Sequence, residues 1–320
     1  MFMKQLFASK TKEDTLSDWR SSATFILIDV SNLAYRAASA NPFAKLTTKT
    51  GIRSGHIFGM VTMLISILKK MSSGSTTLVL GYDDVPTHKL KIFKKYKHNR
   101  HKYKKNSTSP LAISAYSNFF SKGKKSNKSD FLRLFEKIPH LSIKAKGHEC
   151  DDVIASFIKA YRTTENRMII VSNDRDMWQL LRRNVFCYSG QELVTNSSIQ
   201  QNFKTPEPRQ IPLIKAVFGD SSDGIPPVIK TRKKAKRNLV RRLIGKSKGQ
   251  LKAFLSKLTD HPELFNRKKL TLIKRNFKII KLRKNIRIKI KTKPGNKTDL
   301  EKYLLRFECK SLIPKLSVFF

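Results

Sequence analysis

Acid is scarce in this chain: 23 Asp and Glu stand against 66 Lys and Arg over 320 residues, a formal charge of +43. An excess of that size repels itself in a compact state, which points to a polyanionic partner, and nucleic acid is the commonest one. Cysteine is scarce too. Cys150, Cys187 and Cys309 are an odd number without metal-type spacing, which excludes a disulfide framework and points to a reducing compartment. Long apolar runs are absent: none is of bilayer length, and residues 1–22 lack the apolar core and small-residue cleavage site of a signal peptide. A cytoplasmic protein with an N-terminal extension over 1–22 is expected. A hydrophobic content of 39% at this length suffices for one large α/β domain, or one domain and a smaller helical part.

The acid that is present is not scattered. Asp29, Asp83, Glu149, Asp151, Asp152, Asp174, Asp176, Asp220 and Asp223 fall in short groups, several directly after apolar runs. Residues 24–28, 76–80 and 168–172 read as strands buried on both faces, and 56–70 as an amphipathic helix. Helices are also expected at 131–138, from an opening at 147–152 on to 161, and from 177. Alternating buried strands and helices imply a mostly parallel sheet flanked by helices, in which ligands gather outside the carboxyl ends of the strands. Asp29, Asp83 and Asp174 each follow such an end.

Two regions carry the positive charge. Residues 85–129 hold no acid but thirteen Lys and Arg, interleaved with Phe93, Tyr96, Tyr103, Tyr116, Phe119 and Phe120. That composition suits a basic arm which grips a phosphate backbone and stacks bases. From 230 onward, 30 Lys and Arg face 5 Asp and Glu, which suggests a basic, mainly helical DNA-binding region with some alternation near 286–290. The expected division is an extension over 1–22, an α/β domain over 23–228 with the basic arm within 85–129, and a basic region over 229–320.

Nine clustered carboxylates without cations would repel and force protons on. An oxygen donor set selects hard ions such as Mg²⁺, with Mn²⁺ as a substitute, over zinc. Two such ions about 4 Å apart are a usual device for phosphodiester hydrolysis. The residues themselves therefore point to a metal-dependent nuclease.

The ordered set 25–32 (FILIDVSN), 79–83, 96–100 (YKHNR), 147–152 (GHECDD), 171–176 (VSNDRD) and 219–224 (GDSSDG) resembles the motifs of the 5′-nuclease family. That family comprises flap endonucleases, the 5′-nuclease domains of bacterial DNA polymerases and phage 5′→3′ exonucleases. The resemblance covers roughly 24–228 and is nearest to stand-alone phage enzymes, T-even-type ribonuclease H among them, which would place the protein in a host cytoplasm.

The resemblance implies a PIN-like core and site roles. Asp29, Asp83, Glu149 and Asp151 would hold a first Mg²⁺, and Asp220 and Asp223 would complete a second site. Asp174 and Asp176 would lie between them, with Asp152 a direct or water-mediated ligand. Lys97 and Arg100 would contact the scissile phosphate, and Tyr96 would stack on a terminal base or anchor the arch helix. Lys94, Lys95, Lys230, Arg232, Lys233 and Lys234 are the further substrate-binding candidates.

Two departures stand out. Residues 225–234 (IPPVIKTRKK) lack the glycines of the family's helix–hairpin–helix, so direct Lys and Arg contacts to phosphate are expected to replace an ion-mediated grip on duplex. The pair Asp83 and Asp84 leaves the ligand at that strand end open. The implied activity is a 5′→3′ exonuclease and flap endonuclease acting near 5′ ends of DNA, and on RNA primers in RNA–DNA hybrid, in replication or repair. Alternatives are a non-catalytic architectural nucleic-acid binder and a PIN-type single-strand ribonuclease. A monomer is expected. Residues 312–320 (LIPKLSVFF) are either a chain end docked on the core or a peptide for a replication partner, a sliding clamp or single-strand-binding protein being the candidate partners.

Overall fold

The computed structural model describes residues 23–39, 45–72, 75–98, 130–205, 207–229, 234–258, 261–262 and 265–320. The expected N-terminal extension and most of the basic arm lie outside these residues. In chain order the first elements are β1 (Ala23–Asp29), α1 (Val30–Ser39), α2 (Gly55–Met71), β2 (Ser75–Tyr82), α3 (Thr87–Ile92), α4 (Asp130–Phe135), β3 (His140–Lys144), α5 (Cys150–Tyr161), β4 (Arg167–Val171) and β5 (Val185–Tyr188). They are followed by α6 (Asn196–Phe203), α7 (Ile211–Phe218), α8 (Lys234–Lys246), α9 (Leu251–Lys257), α10 (Arg267–Ile280), β6 (Lys289–Lys293) and α11 (Lys297–Arg306). Short 3₁₀ turns occupy Arg175–Leu180, Pro208–Gln210 and Lys310–Phe319.

The strands form one sheet in the order β5-β4-β1-β2-β3-β6. All neighbours run parallel except β6, which is antiparallel to β3. Every residue of β1 is buried, which is why its sequence is continuously apolar rather than alternating. Successive side chains point to opposite faces. Phe25 and Leu27 enter a core shared with α5, α7 and α10, whereas Ile26 and Ile28 enter one shared with α1, α2 and α4. The sheet runs outward from β1 in both directions, to β2 and β3 on one side and to β4 and β5 on the other. The carboxyl ends of β1, β2 and β4 therefore border the switch point where such sheets bind ligands.

The polypeptide beyond residue 229 joins these same cores. β6 lies at 289–293, beside the alternation noted near 286–290, and carries Lys289, Lys291 and Lys293 along an edge that such charges keep from pairing further. Asn276 of α10 is fully buried and donates to the carbonyls of Ala216 (3.0 Å) and Pro226 (3.3 Å). Leu312, Leu316 and Phe319 are buried in the same cluster as α2 and α11, so the chain end is docked on the core. The apolar anchors that a partner peptide would offer are thus engaged within the molecule.

Candidate active site

β1 ends on Asp29, whose Oδ1 accepts from the amide of Asn32 (3.1 Å) and Oδ2 from the hydroxyl of Ser172 (3.2 Å). That hydroxyl also accepts from the amide of Asp174 (3.1 Å), tying the ends of β1 and β4 together. Asp83, after β2, accepts from the amide of Cys150 at 2.8 Å and from the hydroxyl of Ser31. Asp84 points elsewhere: its oxygens brace the turn by accepting from the amides of Val85 (2.8 Å) and Gly147 (3.1 Å). The geometry therefore favours Asp83 as the crevice-facing acid. Gly81 lets the N-terminus of α5 approach this closely, since a Cβ there would sit 2.6 Å from the sulfur of Cys150.

Glu149 and Asp151 open α5 and share one cation. The ammonium of Lys89, a residue only 2% exposed, lies 2.7 Å from Glu149 Oε2 and 3.3 Å from Asp151 Oδ2. Lys97 donates to Glu149 Oε1 and lies 3.8 Å from Asp223 Oδ1. The Tyr96 hydroxyl lies between Glu149 (2.9 Å) and Asp223 (3.0 Å), so its single proton is shared between two carboxylates. On the far side, Lys215 of α7 donates to Asp176 and, at 2.7 Å, to Asp220. Carboxylate oxygens of Asp176, Asp220 and Asp223 all lie within 4.8 Å of one another. The 219–224 loop that carries the last two turns on Gly219 at φ 83°, where a Cβ would meet the Pro227 nitrogen at 2.6 Å. The amide of Lys97 donates to the carbonyl of Asp223 (2.9 Å), fastening the foot of the basic arm to this loop.

Electrostatics follow from burial. Desolvation, reinforced by Asp83 and Asp174, pushes the Asp29 carboxyl up to about 7. Asp176 is likewise raised to about 7, first by burial, against the pull of Lys215 and with the repulsion of Asp174 and Asp223. Asp151 is raised by burial despite Lys89. Burial acts on Glu149 as well, but the ammonium groups of Lys97 and Lys89 overcome it and hold that carboxyl well below the usual range. Lys215 similarly overcomes burial at Asp220 and lowers it. The crevice thus holds protons and ammonium groups in places where cations relieve carboxylate repulsion. An all-oxygen set of this density fits hard divalent ions.

Eight of the nine expected acids converge. Asp152 does not: one residue further along a helix is a rotation of about 100°, and its side chain leaves the crevice for His88, His148 and the amide of Arg283. Direct ligation of the crevice ions by Asp152 is therefore corrected. Tyr96 is 5% exposed with its hydroxyl among the acids, which leaves no open ring face for base stacking and favours the anchoring role. Lys94 and Lys95 are exposed beside it. Arg100, Lys230, Arg232 and Lys233 lie outside the described residues, as does the side chain of Lys234, whose backbone opens α8. Sequence reasoning missed the buried Lys89 and Lys215 and the hydroxyls of Ser31 and Ser172. The only hint of Lys215 was a cation one helical turn before an acidic loop.

A mostly parallel sheet with an all-oxygen crevice at the strand ends is the PIN-like fold of metal-dependent 5′ nucleases. The family model described as "5′-3′ exonuclease, N-terminal resolvase-like domain" matches residues 24–204. The chain is 27% identical over 305 residues to a 5′-3′ exonuclease of Aquifex aeolicus, covering 93% of this chain and 96% of that one. Its fold is similar to a bacteriophage T5 flap endonuclease solved with DNA and metal ions, at a TM-score of 0.57 and 17% identity over 92% of this chain and 96% of the other. It is also similar to flap endonuclease-1 of Methanococcus jannaschii, at a TM-score of 0.52 and 15% identity over 95% and 94% of the two chains. The chain belongs to the 5′-3′ exonuclease family and is a nuclease, a phosphodiester hydrolase. No described helix is long and apolar enough to cross a membrane.

Proposed function

We propose that the protein is a Mg²⁺-dependent 5′→3′ exonuclease and flap endonuclease that hydrolyses phosphodiester bonds near 5′ ends of DNA and removes RNA primers from RNA–DNA hybrid during replication or repair. The observation that carries this reading is the meeting, in one crevice, of eight carboxylates from strand ends, helix starts and a loop with the foot of an acid-free basic arm, at Lys97. The relatives' names and the T5 complex with DNA agree with it.

Asp29, Asp83, Glu149 and Asp151 would hold one divalent ion and Asp176, Asp220 and Asp223 a second, with Asp174 between them. Ions held there would supply Lewis acidity for displacement at phosphorus. The chain's own groups do the rest. Ser31, Ser172 and the amides of Asn32 and Cys150 fix the carboxylates before substrate arrives. Lys97, paired with Glu149, would exchange that partner for the scissile phosphate and stabilise charge there. Arg100, Lys94 and Lys95 would extend the basic path along the strand, and the cations of α8 and α10 would hold duplex.

Incubation with 5′-flap DNA and with RNA–DNA hybrid, with Mg²⁺ or chelator, beside Asp174→Asn, tests the reading. Cleavage of both substrates is expected only with the ion and the intact acid. Cleavage surviving chelator would overturn the metal mechanism, and binding without cleavage would favour an architectural role.

A further inference from the structure

His88, His148 and Asp152 form a second cluster, beside the carboxylate crevice at the N-terminus of α5. Their nearest ligand atoms all lie within 4.8 Å of one another. His88 Nε2 is 3.3 Å from Asp152 Oδ2, and His148 Nδ1 is 3.5 Å from the same oxygen. The two imidazoles lie side by side, with ring centroids 4.6 Å apart. Bonds of about 2.0–2.1 Å from a tetrahedral zinc ion to nitrogen and oxygen separate neighbouring ligand atoms by about 3.3 Å. The two contacts to Asp152 match that edge.

The hydrogen bonds around the cluster orient it in the same sense. His88 Nδ1 lies 3.2 Å from the carbonyl of Gly147, which can only accept, so the neutral ring carries its proton on Nδ1 and presents the lone pair of Nε2. That Nε2 is buried and makes no hydrogen bond, although a carboxylate oxygen lies beside it. Two lone pairs facing each other in a buried place ask for a cation between them. The other oxygen of Asp152 accepts from the amide of Arg283 at 2.8 Å, the kind of outer contact that orients ligands in built metal sites.

We propose that His88, His148 and Asp152 bind a zinc-class divalent ion, with a fourth position open to water. Mixed nitrogen and oxygen donors select such an ion, whereas the all-oxygen crevice selects Mg²⁺, so the two kinds of ion sort between neighbouring sites. Each ligand is the chain neighbour of a crevice residue: His88 of Lys89, His148 of Glu149 and Asp152 of Asp151. An ion there clamps α3, at the foot of the basic arm, to the N-terminus of α5.

The test is titration of the full-length protein with Zn²⁺ against a chromophoric chelator in millimolar Mg²⁺, which keeps the carboxylate crevice filled. One tight Zn²⁺ per chain is expected, unchanged in Asp174→Asn and weakened on the order of a hundredfold in His88→Ala and in His148→Ala, since even losing an outer contact costs about 10–100-fold. Co²⁺ in place of Zn²⁺ is expected to give the wild type an intense visible absorption of low-coordinate geometry, a readout that needs no variant. Absence of that absorption, or tight Zn²⁺ binding that both histidine variants retain, would overturn the proposal.

Discussion

The crevice and the chain beyond residue 229 use charge in opposite ways. In the crevice, eight carboxylates and the ammonium groups of Lys89, Lys97 and Lys215 are largely buried and held at fixed distances by strand ends and backbone amides. Beyond residue 229, 30 Lys and Arg meet 5 acids, and cations such as Lys274 and Lys278 of α10 stand exposed. Burial makes each crevice charge matter individually, because removing one leaves its partner desolvated. Exposure makes each C-terminal charge weak alone, so that region acts by number.

The sharpest break in that contrast comes from two adjacent acids. Asp83→Asn removes a charge facing Asp29 and is expected to lower Mg²⁺-dependent cleavage on the order of a hundredfold or more, the upper end of what even outer-contact losses cost. Asp84→Asn alters a turn brace and is expected to leave cleavage within a few-fold while costing about 1 kcal/mol of stability. Steady-state cleavage and urea unfolding of the two variants decide it; equal losses of activity would remove the distinction drawn from their hydrogen bonds.

Lys215→Met keeps most of the apolar stem but strips Asp176 and Asp220 of their cation. In chelator, unfolding free energy is expected to fall by about 3 kcal/mol, and Mg²⁺ is expected to restore most of it. The same exchange at Lys274, exposed on α10, is expected to change stability by less than about 0.5 kcal/mol.

A pH series separates the regions again. With Asp29 and Asp176 pushed up to about 7 by burial, the folded protein holds protons that the unfolded chain has already released above its ordinary carboxylate range. Folding stability of the metal-free protein therefore falls as pH rises through that window, with the full penalty present above 7. The melting temperature in chelator is expected to drop by several degrees between pH 5.5 and 8, and the rise produced by Mg²⁺ to be largest at pH 8. A metal-free protein that melts higher at pH 8 than at 5.5 would contradict those shifts.

What the sequence displayed of this arrangement, and what it hid, has a physical pattern. β1, β2 and β4 were legible because strands covered on both faces are continuously apolar, and the acids at their ends followed from the sheet. β3 is not legible, since its buried residues are His140, Leu141 and Ile143, only two of them apolar, in a five-residue strand. α1 was missed because it begins on the residue after β1, with no loop to announce it. Asp151 and Asp152 looked equivalent as letters, yet helical rotation sends them to different sites. Lys89 and Lys215 were hidden among dozens of cations because only the folded chain shows which are buried.

The smallest expected effect tests the grip on duplex. Residues 225–229 run from the acidic loop back along α7, with the amide of Val228 donating to the carbonyl of Val217 (2.9 Å), and α10 packs beneath them through Asn276. Arg275 of α10 stacks over Phe93, at 4.6 Å from its ring centre, so the basic helix is joined to the foot of the arm. Lys274 and Lys278 stand exposed on the same helix. If they contact phosphates directly, each Lys→Ala exchange lowers the slope of log affinity against log salt by about 0.9 and weakens duplex binding only a few-fold. The double variant is expected to lower the slope by about twice as much, because each ammonium neutralises its own phosphate. Binding by the wild type measured from 50 to 200 mM salt is expected to fall steeply; a nearly flat curve would mean that direct cation–phosphate contacts are not what holds duplex, and α10 would lose its place in the contrast with the crevice.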